Sequence, residues 1–202
     1  MPQTPKSIPD FAGRSAGRDF EKRVLERLDW EENHHNGTYD RSGVKAAVRG
    51  FNKDGTVIAQ LQKSKPDFEG ILPSGRPLIF DTKVITGPSF NMSAYRTDIG
   101  STAKSNQYKY MLRRCKYGAL CGFLIHFNSR EFKRKKKEYA ETLFLVVNPK
   151  MRVWREFEEC SVTVFTRDDC RVNGFEVPWN FKSKLDKRLR PDLIQTILEG
   201  NV

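Results

Sequence analysis

Lys65-Pro-Asp-Phe-Glu-Gly-Ile-Leu-Pro-Ser-Gly-Arg-Pro-Leu-Ile-Phe-Asp-Thr-Lys83 reads as a strand, a tight turn and a second strand. It places Asp67, Asp81 and Lys83 at the ends of two apolar runs. Two carboxylates and a lysine at such a junction fit a metal site with an activating amine beside it. The pairing carries a geometric condition, because side chains opposite each other in an antiparallel pair share a face and the period is two. With residues 73–76 as a four-residue loop, Asp67 would face Thr82, and Asp81 and Lys83 would point away. An odd loop or a bulge sets Asp67 opposite Asp81 or Lys83, and all three then share a face.

Before this stretch, Phe20, Val24, Leu25 and Leu28 form the apolar stripe of a helix over residues 15–29, with Ser15 as its N-cap. Glu21 lies on the same stripe. It is either a stripe-edge carboxylate that reaches water or a carboxylate turned inward toward a charged site. Residues 1–14 are rich in Pro and poor in apolar side chains, and read as a mobile basic arm. Residues 31–43 read as a polar loop. Strands over 44–51 and 56–62 flank Asn-Lys-Asp-Gly, a strong hairpin signal. Lys45 and Arg49 share a face of the first strand. The hairpin has few large apolar residues, so it is expected to project from the core.

After the stretch, residues 86–104 form a loop rich in Gly, Ser and Asn. A helix over 105–116 follows, with Tyr108, Met111, Leu112 and Cys115 as its core face, Gln107 beside that face and Gly118 as its stop. Residues 120–127 and 141–147 are nearly continuous apolar runs, hence buried strands. Between them Lys133-Arg-Lys-Lys-Lys137 is a solvated loop that can also lie along phosphates. The last fifty residues carry a strand over 161–166, a basic segment over 182–190 and a short helix over 191–198.

The 202 residues suit one domain, and the net charge of +11 favours a polyanionic partner. No apolar run approaches the roughly 18 residues of a membrane span. The N-terminus lacks the apolar core of a secretory signal. Cys115, Cys121, Cys160 and Cys170 show no metal-binding spacing and read as core thiols in a reducing, cytoplasmic compartment. His34 and His35 read as solvated loop residues.

The order is then a helix with Glu21, a strand with Asp67, a strand with Asp81-Thr82-Lys83, a helix with Gln107 and two buried strands. Phosphodiester cleavage needs what this set supplies. Carboxylates hold Mg²⁺, whose charge polarises the phosphate. A nearby lysine offsets developing negative charge. The backbone carbonyl of Thr82 can complete the metal shell.

Pro66-Asp67 followed by Asp81-Thr82-Lys83 resembles the PD-(D/E)xK nuclease motif, and Gly17-Arg18-Asp-Phe-Glu21 resembles the Gly-Arg-x-x-Glu of the RecU-type Holliday-junction resolvases. That family has a projecting β-hairpin stalk where residues 44–62 stand, and a glutamine where Gln107 stands. The resemblance covers residues 13–150. It implies an α/β (α+β) fold with a restriction-endonuclease-like core, a central mixed sheet flanked by helices, and the stalk. The nuclease domain would span 15–202, with 150–202 a C-terminal extension. It implies a homodimeric, Mg²⁺-dependent endonuclease, with Mn²⁺ as a substitute, that resolves four-way DNA junctions by paired nicks. Asp67 and Asp81 would be metal ligands with Thr82, and Lys83 the catalytic lysine. Glu21 would lie at the edge of the site and Gln107 would support it. Arg14, Arg18, Lys45, Arg49, Lys63, Lys65 and Lys104 are the expected DNA contacts. Asp81 stands where Glu is commoner in the family, and a phage member would fit that divergence. The alternatives are a PD-(D/E)xK nuclease with another DNA target, such as a restriction-type or branched-DNA nuclease, and a non-catalytic DNA-binding module.

Overall fold

The computed structural model describes residues 11–42, 45–51, 57–62, 65–96, 102–128, 141–160, 162–181 and 189–199. In chain order these form α1 (Phe11–Asn33), β1 (Thr38–Arg41), β2 (Lys45–Phe51), β3 (Val57–Gln62), β4 (Phe68–Ile71), β5 (Pro77–Ile85) and β6 (Ser89–Asn91). A 3₁₀ turn (Ser93–Tyr95), α2 (Ala103–Cys115), β7 (Leu120–Phe127), β8 (Glu141–Val146), α3 (Arg152–Glu158) and β9 (Val164–Thr166) follow. The chain continues with α4 (Arg167–Val172), β10 (Gly174–Glu176), β11 (Trp179–Phe181), β12 (Leu189–Pro191) and α5 (Leu193–Glu199).

Six strands make one mixed sheet in the order β1-β4-β5-β7-β8-β10. All its neighbours are antiparallel except β5 and β7, which are parallel and joined through α2. A parallel pair needs such a crossover, because a short turn cannot return the chain to the same end of the sheet. The fold is α+β, with helices on both faces of the sheet.

Strand periodicity assigns the two faces. Leu78 and Phe80 point to the face covered by Phe20, Val24 and Leu28 of α1, joined there by Leu193, Ile194 and Ile197 of α5. Ile79 and Ile85 point to the other face, where Phe123, Ile125, Tyr95, Tyr108 and Met111 pack. Described residues of the C-terminal fifty pack into both clusters, Trp154, Phe157 and Phe165 into one and Val177 and Ile194 into the other. Trp154 stacks on Tyr108 at 5.5 Å between ring centroids and meets Phe165 at 5.2 Å.

Several elements differ from the sequence-based expectation. The first helix runs further at both ends, so Ser15 is an interior residue rather than an N-cap. Residues 11–14, expected in the basic arm, are its first turn; residues 1–10 lie outside the described residues. At the other end Glu31, expected in a polar loop, is a fully buried helical residue. Arg27 pairs with it one turn earlier and also donates to Asp192 Oδ1 at 2.7 Å. This buried triad ties the first helix to the chain just before α5. A short edge strand, β1, forms where only loop was expected, paired with β4. Cys160 is exposed rather than a core thiol.

Other expectations hold. Helix α2 is stopped as Gly118 suggested: Gly118 N–H donates to Cys115 O and Ala119 N–H to Arg114 O, a Schellman arrangement with Gly118 at φ +85°. The hairpin β2–β3 forms a two-stranded sheet of its own, separate from the six-stranded one. Its ladder shifts register between Val48 and Gly50, at Arg49. The turn of this hairpin, Lys63, the 133–137 basic run and residues 182–188 lie outside the described residues.

Candidate metal and active site

The hairpin β4–β5 decides the site. Its register pairs Phe68 with Phe80 and Ile71 with Pro77. Five residues, 72–76, separate the strands, so the loop is odd. Leu72 N–H donates to Arg76 O at 2.9 Å and Gly75 N–H to Leu72 O at 2.8 Å. Gly75 takes φ +80°, which a glycine adopts without steric cost. Extending the register by one position sets Asp67 across from Asp81. The geometric condition for a shared site is therefore met by the turn.

Both carboxylates are buried, Asp67 at 2% and Asp81 at 0% exposure. Asp67 Oδ2 accepts from the backbone N–H and the hydroxyl of Thr82, each at 2.8 Å. Asp81 and Lys83, two positions apart on β5, share a face, and the Lys83 ammonium pairs with Asp81 Oδ2. Among the described residues no donor reaches Asp81 Oδ1, although it is buried. Burial pushes the Asp81 carboxyl up to about 7; Lys83 opposes that rise, while Asp67, by charge and by a carboxyl-to-carboxyl hydrogen bond, adds to it. For Lys83, burial alone would favour the neutral amine, yet Asp81, Tyr95 and Asp67 outweigh it and hold the ammonium well above the usual lysine range. Without a cation, two carboxylates cannot both ionise cheaply in such a place.

Those features are what a divalent cation would relieve. Among the described residues no group of three or more His, Cys, Asp or Glu side chains gathers into a metal site. Two carboxylates suffice for Mg²⁺, which usually takes one or two and completes its shell with water and substrate oxygens. The bare Asp81 Oδ1 supplies an oxygen with no competing donor. Thr82 supplies another. Its N–H points toward the β4 side, and within a strand the C=O of the same residue points the same way. The residue across from Thr82 in the extended register is Pro66. Proline has no N–H, so it cannot take that carbonyl as a ladder partner. Pro66→Ala should restore a donor there and weaken binding of Ca²⁺ about 3- to 10-fold, the equivalent of one net hydrogen bond. Titration calorimetry would show this, and an unchanged affinity would exclude the Thr82 carbonyl as a ligand.

The other expected site residues divide. Gln107 is buried on α2, and its amide donates to Lys65 O at 2.9 Å, holding the chain just ahead of Asp67. Among the described residues Glu21 joins no three-member cluster with the carboxylate pair. It belongs to α1, whose apolar stripe covers the opposite face of the sheet, and Arg41 of β1 binds its Oε2 at 2.5 Å. Lys65 pairs with Glu69 at 2.7 Å and lies 5.6 Å from the Tyr110 ring centroid. Lys104 and Arg18 are exposed on their helices. The side chains of Arg14, Lys45 and Arg49 lie outside the described residues, as does Lys63.

One residue of the site was not expected from sequence. Tyr95, 1% exposed, brings its hydroxyl to 3.4 Å from Asp81 Oδ2. It comes from the Gly-, Ser- and Asn-rich stretch expected to be loop. Its trace in the sequence is the run of Phe90, Met92 and Tyr95 in polar company, all three buried.

No family model and no curated protein sequence matches the chain. Among solved structures it bears a weak likeness to Hjc, a Holliday-junction resolvase from the hyperthermophilic archaeon Archaeoglobus fulgidus. Identity is 15%, the match covers 80% of this chain and 91% of that one, and the TM-score is 0.41.

Proposed function

We propose that this chain is a metal-dependent DNA endonuclease of the PD-(D/E)xK kind, that it acts on four-way junctions, and that it works as a homodimer of RecU type. The observation that carries the reading is the buried pair Asp67 and Asp81, held across a five-residue turn with Lys83 bound to one of them. A buried acidic pair with one bare oxygen is costly as structure and useful as a cation site. Asp67, Asp81 and the Thr82 carbonyl would hold Mg²⁺, or Mn²⁺ in its place. Bound there, the ion supplies Lewis-acid charge for phosphodiester hydrolysis.

The chain's own groups do the rest. Thr82 fixes the Asp67 carboxylate through two hydrogen bonds, so one of its oxygens is oriented before any ligand arrives. Lys83 carries a full positive charge beside the pair and offsets negative charge as it develops on the phosphate. Gln107 anchors the backbone that leads into Asp67. The charge of +11 supports a phosphate-backbone partner. The independent two-stranded sheet β2–β3 is the candidate stalk for the junction centre. Among the described residues no helix is long and apolar enough to cross a membrane.

The test is a synthetic four-way junction beside a linear duplex of the same sequence, with Mg²⁺ and with chelator. Paired nicks are expected in the junction alone, and only with the metal. Lys83→Ala should slow cleavage about 10²- to 10³-fold. It should leave junction affinity within about 3-fold, since one charge among many changes backbone binding little. Equal cutting of both substrates would point instead to a nuclease with another DNA target. Tight junction binding with no cleavage under Mg²⁺ or Mn²⁺ would leave a binding module.

A further inference from the structure

Tyr95 belongs to none of the motifs that identify the site, yet it touches both of the site's charged groups on β5. The 3₁₀ turn sets it there, and its ring is wedged against Phe123 at 5.1 Å and Phe90 at 5.9 Å between centroids. From this fixed ring the hydroxyl reaches 3.4 Å from Asp81 Oδ2, the same oxygen that Lys83 holds. The hydroxyl and the Lys83 ammonium therefore meet at one carboxylate oxygen. Lys83 thus has a carboxylate partner, with a phenol oxygen at that same carboxylate. On the same ring a second cation rests: Lys83 Nζ lies 5.9 Å from the centroid and Lys104 Nζ 5.6 Å. Lys104 is exposed, and no carboxylate pairs with it among the described residues.

The carboxylate and the phenol are not equivalent. Asp81 is also a ligand in the proposed function, and a carboxylate that turns to a divalent cation gives up much of its hold on an ammonium. A phenol with a buried, packed ring does not move. Cation–π attraction likewise seats Lys104 without neutralising its charge, so that charge remains available to a phosphate.

We infer that Tyr95 is a positioning residue: its hydroxyl keeps the Lys83 ammonium beside the carboxylate pair once Asp81 engages a cation, and its ring seats Lys104 as a phosphate contact. The inference rests on the nuclease reading for its purpose but not for its geometry. The 3.4 Å contact is long for a hydrogen bond, as contacts in ligand-free sites commonly are before they tighten.

Tyr95→Phe tests it, because the ring packing is kept and the hydroxyl alone is removed. In single-turnover assays with Mg²⁺ the variant should cleave about 10- to 100-fold more slowly. Its KM for junction DNA, its Ca²⁺ affinity and its melting temperature should stay near wild type. Cleavage within 3-fold of wild type would overturn the inference. So would parallel losses in melting temperature, Ca²⁺ affinity and rate, which are the signature of a merely structural ring. A second readout needs no activity: the ¹⁵N–¹H signal of the Lys83 ammonium in Ca²⁺-saturated protein. It should be visible in wild type and lost to water exchange in Tyr95→Phe, and persistence of the signal in the variant would overturn the placement. If wild type cuts no DNA but the signal disappears in the variant, the nuclease reading falls and the role of Tyr95 in holding Lys83 stands. Lys104→Ala should raise KM several-fold, and an unchanged KM would remove Lys104 from the inference.

Discussion

Asp81→Asn should make the protein more stable at pH 8 while ending cleavage. Its carboxyl, near 3.8 when exposed, is pushed up to about 7 in the folded chain, chiefly by burial and further by Asp67. The folded state therefore holds a proton that the unfolded chain has already released between about pH 4 and 7. The sign follows: the group costs nothing below its unfolded value, and stability is lost progressively as pH rises through 7. At pH 8 the penalty is on the order of 4 kcal/mol. Asparagine removes it and does not strand Lys83, because Asp67 still faces the ammonium and the three groups go from a net negative charge to neutrality. Urea unfolding at pH 8 should show the gain, and the gain should shrink toward pH 5. A variant less stable than wild type at pH 8 would contradict the account. Mg²⁺ should raise the melting temperature of wild type and leave that of Asp81→Asn unchanged, because a ligand stabilises only the state that binds it.

Arg27→Met should cost about 3–5 kcal/mol, a large part of a typical domain's stability. Glu31 is fully buried and Asp192 nearly so, and both lean on the Arg27 guanidinium. Removing the cation leaves two carboxylates in the interior. Asn36 still donates to Glu31 Oε2 at 2.7 Å, which softens the loss at one of them. Adding Glu31→Gln and Asp192→Asn should recover much of the cost, because the penalty lies in uncompensated charge rather than in lost volume. Chemical denaturation of the single and triple variants measures both effects. A loss below about 1 kcal/mol for the single change would mean that water reaches the triad.

The candidate site was legible in the sequence to an unusual depth because its chemistry sits on a hairpin. Strand periodicity ties side-chain direction to residue number, so counting residues along the hairpin is enough to ask whether Asp67, Asp81 and Lys83 can share a face. What was needed was a turn of odd length, and Gly75 with its neighbours supplies it. Helix α2 was legible for a similar reason: Tyr108 and Met111 mark its buried face and Gly118 its end. Tyr95 was not legible. Its place depends on a 3₁₀ turn, on Phe90 of the strand just before it and on Phe123 from a distant strand, and no local period signals such a contact. Glu21 was ambiguous in the sequence. Helical spacing puts it at the edge of an apolar stripe but says nothing about which face of the sheet that stripe covers, or that Arg41 waits there.

The amino-acid sequence by itself determined the order of elements, the buried strands β5, β7 and β8, and the trio Asp67, Asp81 and Lys83. These follow from local rules, where a residue's neighbours in the chain are also its neighbours in space. The tertiary structure decided the rest: β1 at the sheet edge, Glu31 buried against Arg27, the tail packed into both cores, and Tyr95 over Lys83. Each depends on contacts beyond the local chain: β1 on β4, the Arg27–Glu31 pair on Asp192, Tyr95 on Phe123. Such contacts form only after the chain has met the entropy of closing long loops, and no stretch of neighbouring residues records them.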